Sequence, residues 1–485
     1  MSLLDPSTWT GKLASDGWVV PSGGDSPVVA PATGEELGRV GLADASDLER
    51  ATVRAAAAQQ EWAATSFEER AAVLRRAGDL FEERAEEIHH WIVRETGAIP
   101  PKAGLETHVA AQECYEAASL PGRPYGDLLA TAQPRMSMAR RRPVGVVGVI
   151  SPFNFPLILS IRSVAPALAL GNAVVLKPDP RTAVSGGVVL ARVFAEAGLP
   201  EGLLHVLPGG ADVGKALVVD PLVPVISFTG SSRAGRAVGE LAGRHLKRAH
   251  LELGGNSALV VLDDADLDAA VSAAAFGSFM HQGQICMTTG RHLVHERVHD
   301  AYVERLADKA SHLPVGDPAT QQVALGPVID EKQRDHVHGL VTASVDAGAR
   351  LAAGGEYEGL FYRPTVLAGA AGTPAYVDEV FGPVAPVASF SSLDEAVALA
   401  SDTEYGLSLG ILTADAMKGL ALADRIPSGI VHINDQTVSD EAVAPFGGVG
   451  ASGTGSRFGG AQANVDAFTE TQWVTLRGSI APYPF

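Results

Sequence analysis

The sequence predicts an α/β fold of two parallel, helix-covered sheets and a small separate pair of strands, on three observations. Apolar strand-like runs alternate with helix-period runs between residues 144 and 253. The same alternation restarts at Ala258 and runs to about Pro445. Two stretches of polar and apolar alternation, 135–142 and 469–477, fit neither round. Strand and helix in alternation imply parallel strands joined by helical crossovers. Because 485 residues exceed what one compact core supports, each round is read as its own domain.

Taken in order, residues 1–18 carry Asp5, Lys12 and Asp16 and no apolar run long enough for a signal peptide. Export is not indicated. Residues 44–62 and 66–97 place apolar residues at helical spacing, and Ser66 followed by Glu69 fits a capping box. Each stretch is expected to be one amphipathic helix. From residue 144 the rhythm is strand 146–150, helix 157–170, strand 173–176, helix 183–197 and strand 203–207. A helix at 213–219, a strand at 224–228, a helix at 232–243 and a strand ending at Leu253 follow. The most apolar stretch, 144–176, is interrupted by Pro152, Asn154, Pro156, Arg162, Pro166 and Asn172, so it does not read as a membrane span. Ligands of such sheets sit beyond the carboxyl ends of the strands, which places the site between the two rounds. The unassigned strands would be an aggregation hazard if left bare, which points to a contact between copies.

Composition narrows the function. A net charge of −19 with scattered Lys and Arg leaves no basic stripe to displace counterions, which argues against nucleic acid as a partner. Two cysteines, Cys114 and Cys286, are too few for a disulfide framework and suit a reducing, cytoplasmic compartment. No metal ligand set is expected.

Four segments carry candidate chemistry. Gly283-Gln284-Ile285-Cys286-Met287-Thr288-Thr289-Gly290 sets a thiol in a glycine-bounded turn, where backbone N–H groups can raise the thiolate fraction at neutral pH. Read alone, the same cysteine is a small buried hydrophobe. Leu251-Glu252-Leu253-Gly254-Gly255-Asn256 ends an apolar strand with a carboxylate. Desolvation there raises its pKa and fits it to take a proton from water; backbone N–H groups could equally satisfy it. Ser151-Pro152-Phe153-Asn154-Phe155-Pro156 holds an amide donor between prolines, either part of an oxyanion hole or a turn residue. Phe228-Thr229-Gly230-Ser231-Ser232-Arg233-Ala234-Gly235 is a strand-to-helix turn suited to a pyrophosphate, without the usual dinucleotide fingerprint.

In this order, and with Lys177-Pro178, Glu379-Val380-Phe381-Gly382-Pro383-Val384 and Pro445-Phe446-Gly447-Gly448, these segments resemble the aldehyde dehydrogenase superfamily from about residue 30 to 478. The resemblance implies a Rossmann-like cofactor domain over 1–124 and 144–253, a second α/β catalytic domain over 254–450, and a small β oligomerisation element over 125–143 and 467–478. A homodimer or homotetramer follows from it. It also implies that Cys286 is the nucleophile, Glu252 the general base and Asn154 the oxyanion donor. For the cofactor, NAD or NADP, it implies Ser151, Pro152, Lys177, Gly230, Ser231, Gly235, Leu253, Glu379 and Phe381. Within that set, Lys177 meets the adenosine ribose, Gly230 and Ser231 the pyrophosphate, and Glu379 and Phe381 the nicotinamide end. Around the aldehyde it implies Phe155, Arg162, Ile285, Met287 and Phe446.

Three positions depart from the pattern. Many NAD-preferring relatives carry a Glu three residues after the lysine, where this chain has Pro180, with Arg181 next to it as a candidate for a 2′-phosphate. NAD keeps an edge, and use of both cofactors fits. A lysine common nine residues after Asn154 is replaced by Ser163, and Gly450 stands where a larger residue is usual. Lys177-Pro178-Asp179-Pro180-Arg181-Thr182, Ile285-Cys286-Met287 and the run from Pro445 to Gly450 look most like the benzaldehyde and vanillin dehydrogenase branch. The alternatives are an aliphatic or semialdehyde dehydrogenase of the same superfamily, or a non-catalytic scaffold. Glu252 argues against a relative that passes its thioester to CoA.

Overall fold

Seven strands form each of two large sheets in the computed structural model, which describes residues 2–485. In the first sheet Arg248–Glu252, Val225–Thr229, Val146–Ile150, Ala173–Lys177 and Leu204–Val206 lie side by side in that order and run parallel. Leu13–Ser15 and Gly17–Val19 add an antiparallel edge. The chain leaves Val146–Ile150 towards one side and later returns on the other, at Val225–Thr229. Strand order therefore reverses between these two neighbours, and that crevice is where doubly wound sheets take their ligands. Phe228 registers opposite Ile150, so the turns that follow both strands leave the sheet at one level.

The second sheet runs Arg350–Ala353, Thr365–Ala368, Val384–Phe390, Thr289–His295, Ser257–Val261, Ser408–Leu412 and Ile430–Ile433. Only its first pair is antiparallel. Ser257–Val261 and Ser408–Leu412 are buried at every position, as expected of strands covered on both faces. One core extends from Leu3 to Leu253 and recruits Phe458, Ala467 and Phe468 from the far end of the chain; two further cores flank the second sheet.

Both opening helices begin with reciprocal caps, Asp44 with Asp47 and Ser66 with Glu69. The single helix expected over 66–97 is two, Phe67–Glu83 and Ala85–Thr96. Arg84 divides them at φ −106° and ψ 13° and reaches out to Glu196 at 2.9 Å. Apolar spacing does not reveal the break because one residue leaves helical geometry while both halves bury apolar faces in the same core. The stretch expected as helix 183–197 opens with a π turn, Val184–Val188, before Val189–Glu196. A Cβ on Gly187 would lie 2.7 Å from Val206 and 2.9 Å from Pro178, so the glycine lets this turn press on the sheet.

Thr469–Leu476 pairs antiparallel with Met136–Pro143, and Gly126–Leu128 adds a third strand. This small sheet stands apart from the other two, with Trp473 65% exposed and Leu128 78% exposed. Among the described residues no helix is long and apolar enough to cross a membrane.

Candidate active site

Cys286 is delivered by a strained turn. After the helix Leu267–Phe279, the backbone passes through His281, Gln282 and Gly283 at φ +47°, +57° and +65°. Left-handed non-glycine residues cost about 1–3 kcal/mol each, and the surroundings must hold them. Gln282 Nε2 donates to the Gly97 carbonyl at 2.9 Å, and Thr288 Oγ1 to the Gly283 carbonyl at 3.0 Å. No other residue fits at Gly283, since a Cβ there would lie 2.1 Å from the Gly382 oxygen. Beyond this turn Cys286 is half-buried between two cavities of about 270 and 240 Å³. Cys286, Asn154 and Leu159 line both.

Asn154 Nδ2 donates to the Gln284 carbonyl at 2.9 Å. A primary amide has two N–H groups, so the second remains for the space beside Cys286. Glu252 ends the strand Arg248–Glu252, and the glycines after it allow close approach: a Cβ on Gly255 would lie 2.3 Å from the Cys286 carbonyl oxygen. Both Glu252 oxygens are buried without a hydrogen-bond partner, packed against Gly447, and the side chain lines neither cavity. Burial pushes this carboxyl well above the usual range, against the pull of Arg162 and Arg457. Burial also pushes the Cys286 thiol up to about 12, with Glu379 and Glu252 adding to the rise. Against the expectation of an enriched thiolate stands this desolvation, which favours the protonated thiol in the cofactor-free chain.

Of the residues expected at the cofactor, Pro152, Gly230, Ser231, Leu253, Glu379 and Phe381 line the smaller cavity. Ser231 caps the helix Ser232–Arg244, whose N-terminus opens there. Gly235 lies under Leu253, where a Cβ would come within 2.1 Å of Cδ2. Glu379 accepts from the Gly255 N–H at 2.9 Å, and burial pushes it to about 7. Phe381, at φ +50°, meets Phe153 edge-on at 5.9 Å and is held by Gln333 through its carbonyl at 2.9 Å. Ser151 and Lys177 lie outside this lining. The Ser151 hydroxyl is hydrogen-bonded to Ser160 at 2.7 Å. Lys177 ends the adjacent strand, where burial lowers its pKa against the opposing pull of Asp179 and Asp212. A helix N-terminus at one end, a buried carboxylate and an aromatic ring at the other, and small residues between them fit a dinucleotide.

Arg181 is not free to meet a phosphate unopposed. It pairs with Asp179 at 2.8 Å and Asp330 at 2.6 Å and covers the Phe153 ring at 4.3 Å.

Phe155, Arg162, Ile285, Met287 and Phe446 line the larger cavity. The wall is mostly apolar, and Val109, Ile158 and Leu159 from two helices complete it. Arg162 is its one cation, paired with Glu113 at 3.4 Å and with Asp440, and stacked 4.4 Å over Phe446. Burial opposes its charge, but Asp440 and Glu113 outweigh that and keep it protonated. Ser163 points elsewhere, bonded to Ser227 at 2.8 Å inside the core. Gly450 has a structural cause: its φ is +61° and a Cβ would lie 2.6 Å from the Glu404 oxygen. Sequence reasoning missed Leu159, Asp440 and Gln333, which come from helix faces and a loop without turn punctuation. Among the described residues no cluster of His, Cys, Asp or Glu could hold a metal ion.

The model of the aldehyde dehydrogenase family matches residues 18–474. A vanillin dehydrogenase of Amycolatopsis sp. is 72% identical, over 100% of both chains. A benzaldehyde dehydrogenase [NAD(+)] of Pseudomonas putida is 51% identical, over 98% of both. The crystal structure of a salicylaldehyde dehydrogenase from Pseudomonas putida G7, complexed with salicylaldehyde, superposes with a TM-score of 0.94 at 36% identity, covering 98% of this chain and 99% of the other. With the two-cavity site and these matches along nearly its whole length, the chain belongs to the aldehyde dehydrogenase family and is an NAD(P)-dependent enzyme.

Proposed function

We propose that the enzyme oxidises an aromatic aldehyde of the benzaldehyde or vanillin type to its carboxylic acid. The observation that carries this reading is one thiol shared by a crevice fit for a dinucleotide and a sleeve of apolar and aromatic side chains. The names of the vanillin and benzaldehyde dehydrogenases that it resembles support the same substrate class.

In this mechanism Cys286 gives its proton to solvent water and Sγ adds to the aldehyde carbon. The Asn154 amide and the Cys286 backbone N–H hold the resulting oxyanion. The oxidised nicotinamide supplies the hydride acceptor. A thioester is left on Cys286. Glu252 turns from its place against Gly447 towards solvent, where it ionises, then takes a proton from water, and the hydroxide displaces the Cys286 thiolate and releases the acid. For the cofactor end we assign Lys177 to the adenosine ribose, Gly230 and Ser231 to the pyrophosphate, and Glu379 and Phe381 to the nicotinamide. NAD is preferred and NADP accepted, because Arg181 is already compensated by Asp179 and Asp330. The small outer sheet joins copies of the chain into a dimer or tetramer, which covers Trp473 and Leu128.

A semialdehyde with a distal carboxylate needs an available cation, and Arg162 is already engaged by Asp440 and Glu113. Steady-state rates for benzaldehyde, vanillin, acetaldehyde and succinic semialdehyde with both cofactors test the reading. The aromatic pair is expected to lead in kcat/KM by about 2- to 13-fold from the aromatic contact alone, at about 0.5–1.5 kcal/mol beyond area burial. A preference for either other compound overturns the substrate and leaves the dehydrogenase chemistry standing.

A further inference from the structure

The helix Pro100–Ser119 buries two opposite charges directly behind Asn154. Lys102 and Glu106, one turn apart, are both 0% exposed and paired with each other. Lys102 Nζ also donates to the Asn154 carbonyl oxygen at 2.8 Å and stands 4.3 Å over the Phe155 ring. Glu106 Oε2 accepts from the N–H groups of Leu157 and Ile158 at 3.0 and 3.4 Å. The pair therefore grips segment 154–158 at both ends, at the Asn154 peptide and at the first turn of the helix Pro156–Ala169. Buried ion pairs cost much to desolvate and add little to stability, so this one calls for a task beyond packing. Fixing an amide donor is such a task, because a displacement of about 1 Å at a reacting centre can cost about 10²-fold in rate.

We propose that Lys102 and Glu106 are positioning residues for the oxyanion donor, fixing the backbone from which the Asn154 amide reaches the oxygen that develops at Cys286. The proposal rests on the role given to Asn154 above, and a double-mutant cycle separates the two.

Asn154→Ala alone is expected to slow the single-turnover burst of NADH from benzaldehyde by about 10²–10³-fold. An unchanged burst in that variant removes the role of Asn154 itself. Lys102→Met is expected to slow the burst by about 10- to 100-fold while the dissociation constant for NAD+, read by fluorescence quenching, stays within about twofold. Added to Asn154→Ala, it is expected to cost less than about twofold more, because the group it serves is gone. Equal slowing in both backgrounds, or none in the native one, overturns the clamp and leaves Asn154 standing. If Lys102→Met does not fold, Glu106→Gln, which preserves shape and an acceptor oxygen, carries the same cycle under the same criteria.

Discussion

The two cavities that meet at Cys286 are built from different materials. The smaller one is made at strand ends and turns: Pro152 after Val146–Ile150, Gly230 and Ser231 after Val225–Thr229, Leu253 and Gly254 after Arg248–Glu252. Its shape follows from backbone geometry, and close approaches at Gly235, Gly254 and Gly255 leave it little freedom. The larger one is made of side chains from three helices, the Cys286 turn and the loop that carries Asp440 and Phe446. A substitution there changes shape without moving the main chain. The difference assigns the common part of the reaction to the first cavity and the choice of aldehyde to the second.

The most severe way to break this division is at the shared wall. Cys286→Ser is expected to lower kcat by at least about 10³-fold, because a hydroxyl at neutral pH is a far weaker nucleophile, while binding in both cavities persists. Normal turnover with NAD and benzaldehyde would show that the cavities do not share a nucleophile. Glu252→Gln is expected to give one equivalent of NADH in a rapid burst and then a steady state slower by about 10²–10³-fold. Quenched-flow measurement checks this, and loss of the burst itself would move Glu252 ahead of hydride transfer.

The protonated state of the wall predicts a pH profile. Since burial raises the Cys286 thiol to about 12, the thiolate fraction of the cofactor-free protein grows with pH throughout the neutral and mildly alkaline range. Alkylation by iodoacetamide is expected to quicken about tenfold per pH unit, thus about 100-fold from pH 7 to 9. Cys114, fully buried and with its thiol also pushed up, stays silent. A plateau below pH 8 in the labelling rate would mean that the turn activates the thiol after all.

Phe446→Ala sharpens the contrast between the cavities. It removes an aromatic wall of the larger cavity and the face on which Arg162 rests. The kcat/KM for benzaldehyde is expected to fall about tenfold, roughly 1.4 kcal/mol, while the KM for NAD is unchanged. A matching rise in the NAD KM would mean that the two cavities are not separable.

What was legible in the sequence follows the same line. Strand ends announce themselves by apolar runs stopping at Pro, Gly or Ser, and Pro152, Gly230 and Leu253 were placed beside the cavity's strands by rhythm alone. The break at Arg84 was not legible, since one residue out of helical geometry leaves the apolar spacing intact. The helix Pro100–Ser119 went unread: its Lys102, Glu106 and Glu113 are buried charges, and a pattern that looks for apolar faces treats such residues as solvent-facing. The roles of Glu379 and Phe446 came only from resemblance, for a lone acid and a lone aromatic carry no local signal. The state of the Cys286 thiol depends on desolvation by distant segments, Glu379 and Glu252 among them, which spacing along the chain cannot convey.

The smallest expected effect lies at Pro180, next to the Arg181 that covers Phe153 of the smaller cavity. Pro180 opens the short turn Pro180–Thr182, whose first residue donates no backbone hydrogen bond that a substitution could disturb. Asp179 already caps this turn through the Arg181 N–H and pairs with the Arg181 side chain. Pro180→Glu adds a carboxylate where NAD-preferring relatives carry one, beside Asp179 and Asp330. At a partly solvated position, repulsion of a 2′-phosphate amounts to about 1 kcal/mol, or roughly fivefold. The ratio of kcat/KM for NAD over NADP is therefore expected to rise about fivefold, nearly all of it through weaker NADP, with benzaldehyde kinetics otherwise preserved. Steady-state titration of both cofactors at one saturating benzaldehyde concentration measures it. An unchanged ratio would place residue 180 away from the ribose and leave the preference with the ion pairs of Arg181, whose carboxylates Asp179 and Asp330 would then be the groups that a 2′-phosphate has to displace.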